Sequence, residues 1–544
     1  MATTDDKVLG NKIKARFDQL ESERIEHETA WRKIAQWLQP RRSFTIERAK
    51  NQLVRRRIVD MTATRSGERL AALLHGYLID THEPWIEAHL RGRAANPRER
   101  RWFDAAERDM HRFMTGSRST FRSALMESVT DDVFFGNSVL FSGASAAGRQ
   151  PGFMSLPLFE CYWAENEEGV VDTLYRKFRL TLKNSVQRFR TKKLVEKAER
   201  KNADLSERFT FIQAVEPRAF GVRGDIPSRK PFSSVIYSYD TEEVAKVSGF
   251  DAFPFAVTRF QRQSGDVYGT GPGWTALPMA VLANMILETI MESAEQAARP
   301  SLIDLSGKLA KLDRRPGAVN RLNAAELMLM EPGQVIQKLY EGGDVGDAFQ
   351  VWTHLIGEIE LIFYVDWMRR QGTQPPSATQ VNDERDIRLQ SLSGVVGRAE
   401  TEKMTPIADR TFDGMLRADM FSAEIPDSLF DNDVDFVYRS PLAIAQKRSR
   451  LSAIASTLDL VGAMAAFDEE VTDVPDFDAM ARDGMSAAGL PLKYQRTEDD
   501  IAERREARRR AAEESRQIEN AAGIAGAARD AGQAAASLGI REAA

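Results

Sequence analysis

The sequence predicts a mainly α-helical protein with an α+β region in its first half and a small insert of short segments. Long stretches with apolar residues at helical spacing occupy both ends of the chain. Between residues 133 and 260, short apolar runs alternate with Gly, Pro, Asn and Asp clusters, which is typical of strands joined by turns. Between 300 and 345, Pro-Gly and Gly-Gly pairs leave room only for short elements.

Helical periodicity dominates the first 130 residues. A first helix is predicted over 5–40, where charged residues separate the apolar ones. A second helix is predicted from Asp60, a candidate N-cap, to Leu78. A third is predicted over about 97–130, after an extended segment that begins at Pro84.

The α+β region begins with a turn that leads into a strand, at 134–141. Further strands are predicted at 170–180, 208–215, 233–239 and 253–260. A basic helix over about 181–201 interrupts them, with the cations Lys183, Arg188, Arg190, Lys192, Lys193, Lys197, Arg200 and Lys201. A solvated face is the simpler interpretation of this helix, and contact with nucleic acid or with an acidic neighbour is the alternative.

A glycine-rich segment, Tyr268-Gly-Thr-Gly-Pro-Gly273, precedes a helix predicted over about 274–298. Pro272 and the glycine spacing do not fit a dinucleotide fingerprint, so we interpret the segment as a turn before a helix rather than a phosphate cradle. The helix is apolar around most of its circumference, which predicts burial either in a deep core or between subunits. Because Asn284 and Glu288 interrupt the apolar run, a transmembrane helix is not expected.

Two long helices flank a short loop at 371–376. The first is predicted over 345–370, and the second begins at a capping box, Ser377-Ala-Thr-Gln380. The residues alone indicate a surface turn at the tip of a helical hairpin. Kinks in the second helix are predicted at Gly394, Gly397 and Pro406. Beyond it the sequence predicts an extended segment at 430–442, helices at 442–467 and 476–520, and a loose Ala/Gly-rich end over 521–544.

The composition excludes several classes of protein. Lys and Arg number 75 and Asp and Glu number 80, so the net charge of −5 argues against a strongly basic nucleic-acid coat. Neither a P-loop nor a His-Glu-x-x-His motif is present, and the spacing of the six histidines does not suit a metal site. The single cysteine, Cys161, lies in an apolar stretch and is predicted to be a buried structural thiol. We therefore expect no enzymatic activity, no cofactor and no bound metal.

The order of several segments resembles the portal, or head-to-tail connector, proteins of short-tailed bacteriophages. The resemblance covers about residues 10–515. The segments that carry it are Trp37-Leu38-Gln39-Pro40, Asp60-Met-Thr-Ala63, Leu70-Ala71-Ala72-Leu73, Pro84-Trp85, Phe135-Gly-Asn137-Ser-Val-Leu140, Tyr268-Gly-Thr-Gly-Pro-Gly-Trp-Thr-Ala-Leu-Pro278, Ala298-Arg-Pro300 and Ser377-Ala-Thr-Gln380-Val381. Gln380 departs from the family, which usually has Glu there, although Gln can still cap the helix.

The resemblance implies a portal-type fold and a ring of identical subunits, usually twelve, at one capsid vertex of the virion, assembled in the bacterial host cytoplasm. Double-stranded DNA would enter and leave through its channel. Terminase, tail or adaptor proteins, the major capsid protein and scaffold protein are the implied partners, and no membrane is involved. The implied regions are a wing (1–270), stem helices (271–299 and 345–370), a clip (300–344), a tunnel loop (371–379), a kinked helix returning to the wing (380–441), a crown (442–520) and a flexible tail (521–544).

The resemblance also assigns candidate site residues. The DNA-channel set is Arg369, Arg370, Gln371, Gly372, Thr373, Gln374, Pro375, Pro376 and Ser377. The set expected to pack between stem helices of neighbouring subunits is Met279, Leu282, Met285, Ile286 and Ile290. Two alternatives stay open at this point. One is a scaffold or internal virion protein, which would lack an α+β wing, and the other is a metal-dependent nuclease, which would need clustered carboxylates.

Overall fold

The computed structural model divides the chain into two compact units, Met1–Leu442 and Ala443–Ala544. The residues it describes are 4–40, 58–79, 84–93, 95–144, 151–200, 202–218, 230–299, 302–304, 319–321, 336–338, 345–365, 392–426, 429, 434–438, 454–467, 471, 474–487 and 498–537.

Helices predominate in the first unit, as the sequence predicts. Eight of them are α1 (Thr4–Trp37), α2 (Thr62–Leu78), α3 (Pro97–Thr115), α4 (Phe121–Phe135), α5 (Leu182–Phe189), α6 (Lys192–Ala198), α7 (Pro272–Ala298) and α8 (Gly346–Ile362). A further helix covers residues 392–417. It contains a π-helical turn, Glu400–Met404, and ends with the α-helical segment Thr405–Arg417.

Four small sheets accompany these helices in the described part of the unit. Their strands are β1 (Ile86–Leu90), β2 (Asn137–Ala144), β3 (Pro151–Leu156), β4 (Cys161–Glu165), β5 (Val171–Thr181), β6 (Arg208–Pro217), β7 (Phe232–Ser238), β8 (Glu243–Phe250), β9 (Phe255–Arg259), β10 (Leu302–Asp304), β11 (Val319–Arg321), β12 (Ile336–Lys338) and β13 (Val434–Tyr438). The strand orders are β1-β13, β3-β2-β9, β4-β5-β6-β7-β8 and β11-β10-β12. All described pairings are antiparallel except that of β10 with β11.

The second unit is described through three helices, Ile454–Ala465, Phe477–Ala487 and Glu498–Ser537. Arg505 donates two hydrogen bonds of 2.5 Å to the carboxylate of Asp478 and so joins the last two helices. The last helix runs without interruption across residue 520, where the sequence predicted the start of a loose end.

Three predicted helices are wrong in their extent. The helix predicted over 97–130 is broken at Gly116, because Ser and Thr residues up to Thr120 favour a turn there. The basic helix over 181–201 is two helices, since Arg190 takes a left-handed conformation with φ 50 that lets both halves pack on one apolar cluster. The helix predicted to reach 370 ends at Ile362.

The strands at 170–180, 208–215, 233–239 and 253–260 are confirmed. Strands β3, β4 and β8 were not predicted. None of the three alternates regularly between buried and exposed residues: β3 buries only Phe153 and Leu156, β4 begins with three consecutive buried residues, and β8 has no buried residue.

Helix α1 lies against one face of the five-stranded sheet. Ile13, Phe17 and Leu20 pack there on side chains such as Tyr162 and Tyr175. Burying large aromatic and aliphatic side chains on both elements contributes about 2 kcal/mol for each of them. The α5 and α6 helices cover the cluster around Phe178 and Phe211 on the same sheet.

A buried arginine joins α1 to the start of β4. Arg24 is 1% exposed, and its guanidinium donates to the backbone oxygens of Leu158, Phe159 and Cys161 at 2.8 to 3.3 Å. The guanidinium also bonds to Glu28 at 2.9 Å and lies 3.6 Å from the centre of the Tyr162 ring. Its charge is thus paired as a buried charge must be.

The 392–417 helix is held to the unit by buried ion pairs at its π-helical turn. Lys403 is fully buried and pairs with the carboxylate of Asp132 in α4. Burial raises the pKa of Asp132, and the charge of Lys403 opposes that rise. Next to it, Glu402 accepts hydrogen bonds from the backbone and the guanidinium of Arg259, at 2.9 and 2.6 Å. Arg259 also pairs with Glu165.

We predict that Lys403→Met destabilises the protein by about 3 kcal/mol, because it leaves Asp132 buried without a cation. The double variant Asp132→Asn/Lys403→Met removes both charges and should recover more than half of that loss. Urea unfolding followed by tryptophan fluorescence measures both values. Equal stability of Lys403→Met and the unaltered protein would contradict the pairing.

Candidate functional site

The nine predicted channel residues lie outside the described residues. They are Arg369, Arg370, Gln371, Gly372, Thr373, Gln374, Pro375, Pro376 and Ser377, and their assignment stays a prediction. The structure does describe the two helices that precede them, α7 and the greater part of the predicted 345–370 helix. The candidate site is therefore built from these helices and from the contacts that hold them.

Helix α7 begins at a contact between two backbone segments that are far apart in the sequence. Gly136 is left-handed, with φ 77, and turns the chain from α4 into β2. The side chain of Asn137 then accepts a hydrogen bond from the N–H of Gly269 and donates one to the carbonyl of the same residue, both at 2.7 Å. An amide side chain that satisfies both backbone groups of one residue fixes the separation and the register of the two segments.

The glycines of this junction are required by packing. A Cβ atom on Gly273 would overlap the carbonyl oxygen of Phe134, and one on Gly271 would lie 2.7 Å from the carbonyl oxygen of Asp132. Two tryptophans complete the junction, because the indole N–H groups of Trp31 and Trp274 both donate to the carbonyl of Phe135, at 3.1 and 2.9 Å. The interpretation as a turn before a helix is confirmed.

About three turns further along α7, an asparagine joins the helix to the chain before α2. Asn284 is 3% exposed, and its side-chain oxygen accepts from the N–H groups of Val59 and Asp60, both at 3.0 Å. Its amide donates back to the carbonyl of Asp60 at 3.3 Å and to that of Ala280 at 2.9 Å. Asn284, which interrupts the apolar run, thus makes four side-chain hydrogen bonds, and three of them hold α7 to the chain before α2.

The face of α7 that packs on its own chain is made of small residues. Gly273, Ala276, Ala280 and Ala283 are buried and recur every three or four positions. Such spacing places them in one stripe along the helix. Small side chains let α7 approach α1, α2 and α4 closely.

The large apolar side chains of α7 lie outside this stripe of small residues. Leu282 is 46% exposed and Met285 58% exposed, while Met279, Ile286 and Ile290 are half-buried. Two of the five residues predicted to pack between subunits, Leu282 and Met285, are therefore left largely uncovered by their own chain. Their contact with a second subunit stays a prediction.

Helix α8 packs on α7 and α2 and also carries exposed apolar side chains. Ile359 and Phe363 are fully buried, and the Phe363 ring lies 6.1 Å from that of Phe134. Burial of Phe363 and Val365 requires the chain to leave the helix after Ile362, which is why the helix ends earlier than predicted. Phe349, Val351 and Leu361 are each about half exposed.

By length and composition, α7 is long and apolar enough to cross a membrane, and among the described helices of 18 residues or more it alone is. Its small-residue stripe and Asn284 are occupied by contacts with the same chain. The prediction that no membrane is involved therefore needs a test of its own.

Among the described residues, we find no arrangement of side chains suited to catalysis or to metal binding. Burial raises the pKa of the Cys161 thiol to about 12, so the thiol is not a nucleophile, as its apolar surroundings predicted. Burial lowers the pKa of His27, which lies among the rings of Trp31, Tyr268 and Trp274. No group of three or more His, Cys, Asp or Glu in the described ranges is arranged to hold a metal ion.

Comparisons with known proteins find two phage portal proteins that are similar to most of this chain. The chain is 25% identical over 492 residues to the "Probable portal protein" of Bordetella phage BPP-1, covering 86% of this chain and 85% of that protein. It is 24% identical over 495 residues to the "Portal protein" of Salmonella phage epsilon15, covering 85% and 84%.

The family described as bacteriophage head to tail connecting protein matches residues 10–494, which include both segments of the junction and all of α7 and α8. This match covers most of the range in which the sequence resembled phage connectors. The family is a structural one, without enzymatic activity. The chain belongs to the bacteriophage head to tail connecting proteins.

Proposed function

We propose that twelve copies of this chain form a ring at one capsid vertex. Double-stranded DNA passes through the central channel during packaging and ejection. The ring is also the docking platform for terminase during packaging, and then for tail or adaptor proteins. Its assembly takes place in the cytoplasm of the bacterial host, with the major capsid and scaffold proteins.

The exposed apolar face of α7 is the observation that carries this proposal. Leu282 and Met285 are about half exposed on a helix whose opposite side is fixed to its own chain by Asn284 and the glycine junction. Exposed apolar surface of this kind is expected at sites of protein association. A ring would bring this face against a neighbouring copy and remove it from water.

The proposed regions follow the order of the elements. The wing comprises residues 1–270, and α7 and α8 are the stem helices, within 271–299 and 345–370. The clip covers 300–344, where short strands β10 to β12 form a separate small sheet. We propose that the tunnel loop lies at 371–379, that 380–441 returns to the wing, and that the crown and tail follow at 442–520 and 521–544.

The charge of the chain suits a conduit through which DNA slides. The net charge is −5 for each copy, and a ring multiplies it. Phosphate contacts from many Lys and Arg residues add up and would hold DNA tightly. An anionic ring with few cations at the tunnel loop makes only transient contacts with the passing duplex.

A membrane-spanning role for α7 is the competing explanation of the same exposed apolar face. Glu288, Glu292 and Glu295 lie in the second half of the helix, where a bilayer would oppose charge. Negative-stain imaging of the purified protein separates the two explanations. We expect rings with a central hole. When the protein is mixed with liposomes and centrifuged in a density gradient, we expect none of it to float with the liposomes. Monomers that float with liposomes would overturn the proposal.

We predict that Leu282→Glu/Met285→Glu prevents ring assembly and leaves the chain folded. Charge on this face opposes its burial against a neighbour, whereas both side chains are exposed enough in one chain to tolerate it. Mass photometry gives the oligomeric state, and circular dichroism checks the fold. Met154→Glu is the matched control, because Met154 is 45% exposed on β3. Normal rings in the double variant would exclude α7 from the interface.

We predict that Arg369→Ala/Arg370→Ala reduces DNA packaging or genome retention and leaves the rings intact. The two cations precede the proposed tunnel loop and would meet phosphates with Thr373 and Gln374. Packaged DNA is quantified in particles assembled with the variant. Arg508→Ala/Arg509→Ala, two exposed arginines of the proposed crown, is the control. Full packaging and retention without the two arginines would remove them from the channel function.

A further inference from the structure

A cleft of about 510 Å³ opens beside the helical segment Thr405–Arg417. Its floor includes Trp102, Phe412 and Phe436, each less than a tenth exposed. Aromatic faces of this kind favour the apolar stem or the cationic end of an Arg or Lys side chain. The cleft has the size and the lining to receive side chains from another surface.

Three carboxylates lie around this floor. Arg91 pairs with Asp435 through two hydrogen bonds of 2.9 and 2.8 Å. Asp413 lies 3.6 Å from Arg417. Asp409 forms no ion pair with any residue that the structure describes. Although Asp409 is exposed, the cleft wall partly desolvates it and, with Asp413 and Asp435, raises its pKa to about 6. The cleft therefore has an excess of negative charge.

An excess of positive charge lies on α5, α6 and the residues that follow each of them, the basic segment whose role the sequence left open. Lys183, Arg190 and Arg200 are exposed, and none of them forms an ion pair with the described residues. Lys192 is 80% exposed and only reaches 4.0 Å from Glu196. These four cations are called the basic surface.

The cleft and the basic surface cannot meet within one chain, because β8 separates them. Just before β8 begins, Lys193 of α6 donates to the carbonyl of Thr241 at 2.6 Å. Just past its end, Arg410 of the cleft helix donates to the carbonyl of Ala252 at 2.7 Å. An extended strand of eight residues spans roughly 26 Å.

We propose that the acidic cleft of one copy receives the basic surface of the neighbouring copy. This inference rests on the ring of the proposed function, because the interface of a ring joins two different surfaces of the same chain. The cationic ends of Lys183 and Lys192 then meet Asp409 and Asp413, and the aromatic floor covers their stems. Complementary charge at such an interface fixes the register and speeds the encounter between subunits.

Charge reversal tests the pairing. The cleft variant is Asp409→Lys/Asp413→Lys, and the surface variant is Lys183→Glu/Lys192→Glu. Both lysines lie in the first turn of a helix, where a glutamate is favourable, so the surface variant should fold. Circular dichroism checks the fold of every variant.

Each variant alone should raise the concentration needed for ring assembly by roughly tenfold at low salt. The variant that combines all four substitutions should restore assembly, because every interface again joins opposite charges. Glu167→Lys/Glu168→Lys, in an exposed turn, is the control and should assemble normally. Sedimentation velocity over a series of protein concentrations measures the concentration at which each variant assembles into rings. Normal assembly of both reversed variants would overturn the pairing.

A cysteine pair tests the contact directly. Asp413→Cys/Lys192→Cys in a Cys161→Ala background should give disulfide-linked ladders of several chains on a non-reducing gel, and either cysteine alone should not. Rings that assemble without any cross-link would overturn this inference and leave the ring standing, with the cleft free for a cationic partner of another kind. Absence of rings from the unaltered protein would instead overturn the proposed function.

Discussion

The structure depends on the place where residues 136–137 meet residues 269–273. Backbone approaches backbone there, because Gly136 supplies a left-handed turn and Gly271 and Gly273 supply the absence of a side chain. Asn137 closes both hydrogen bonds of Gly269. The end of α4, the start of β2 and the start of α7 all lie at this contact. The direction of α7 is thus set by hydrogen-bonded main chain, which cannot slide as apolar side chains can.

The 392–417 helix forms ion pairs with residues that lie next to the same junction. Lys403 pairs with Asp132, whose carbonyl accepts the hydrogen bond from the N–H of Gly136. Glu402 binds Arg259, the last residue of β9 and two positions before the bridge between Gln261 and Thr270. The π-helical turn carries Glu402 and Lys403 next to each other, and these side chains bind Arg259 and Asp132. Such turns are frequent at functional sites. These ion pairs thus connect the 392–417 helix to residues at the base of α7.

The sequence predicts the elements well and the long-range contacts poorly. Periodicity locates α1, α2, α7 and four of the strands, and turn chemistry explains Gly136 and the segment before α7. Two of the three helices that were wrong in extent are explained by burial, because the burial of Phe363, and of Leu182 together with Leu194, outweighs local helix propensity. The third is broken by the turn at Gly116. No local pattern reveals that Asn137 binds Gly269, since 132 residues separate them. The channel residues were inferred from a family resemblance alone, and they lie outside the described residues.

Helix α7 shows why hydropathy could not separate its two sides. Both the stripe of Gly273, Ala276, Ala280 and Ala283 and the face with Leu282 and Met285 are apolar, so the sequence left core burial and subunit packing equally open. Residue size distinguishes them. Small side chains allow the close and rigid approach to the chain's own helices, whereas the larger Leu282 and Met285 side chains stay about half exposed and are the ones proposed to meet a neighbouring copy. Small residues at helical spacing beside large ones were the signal that hydropathy alone missed.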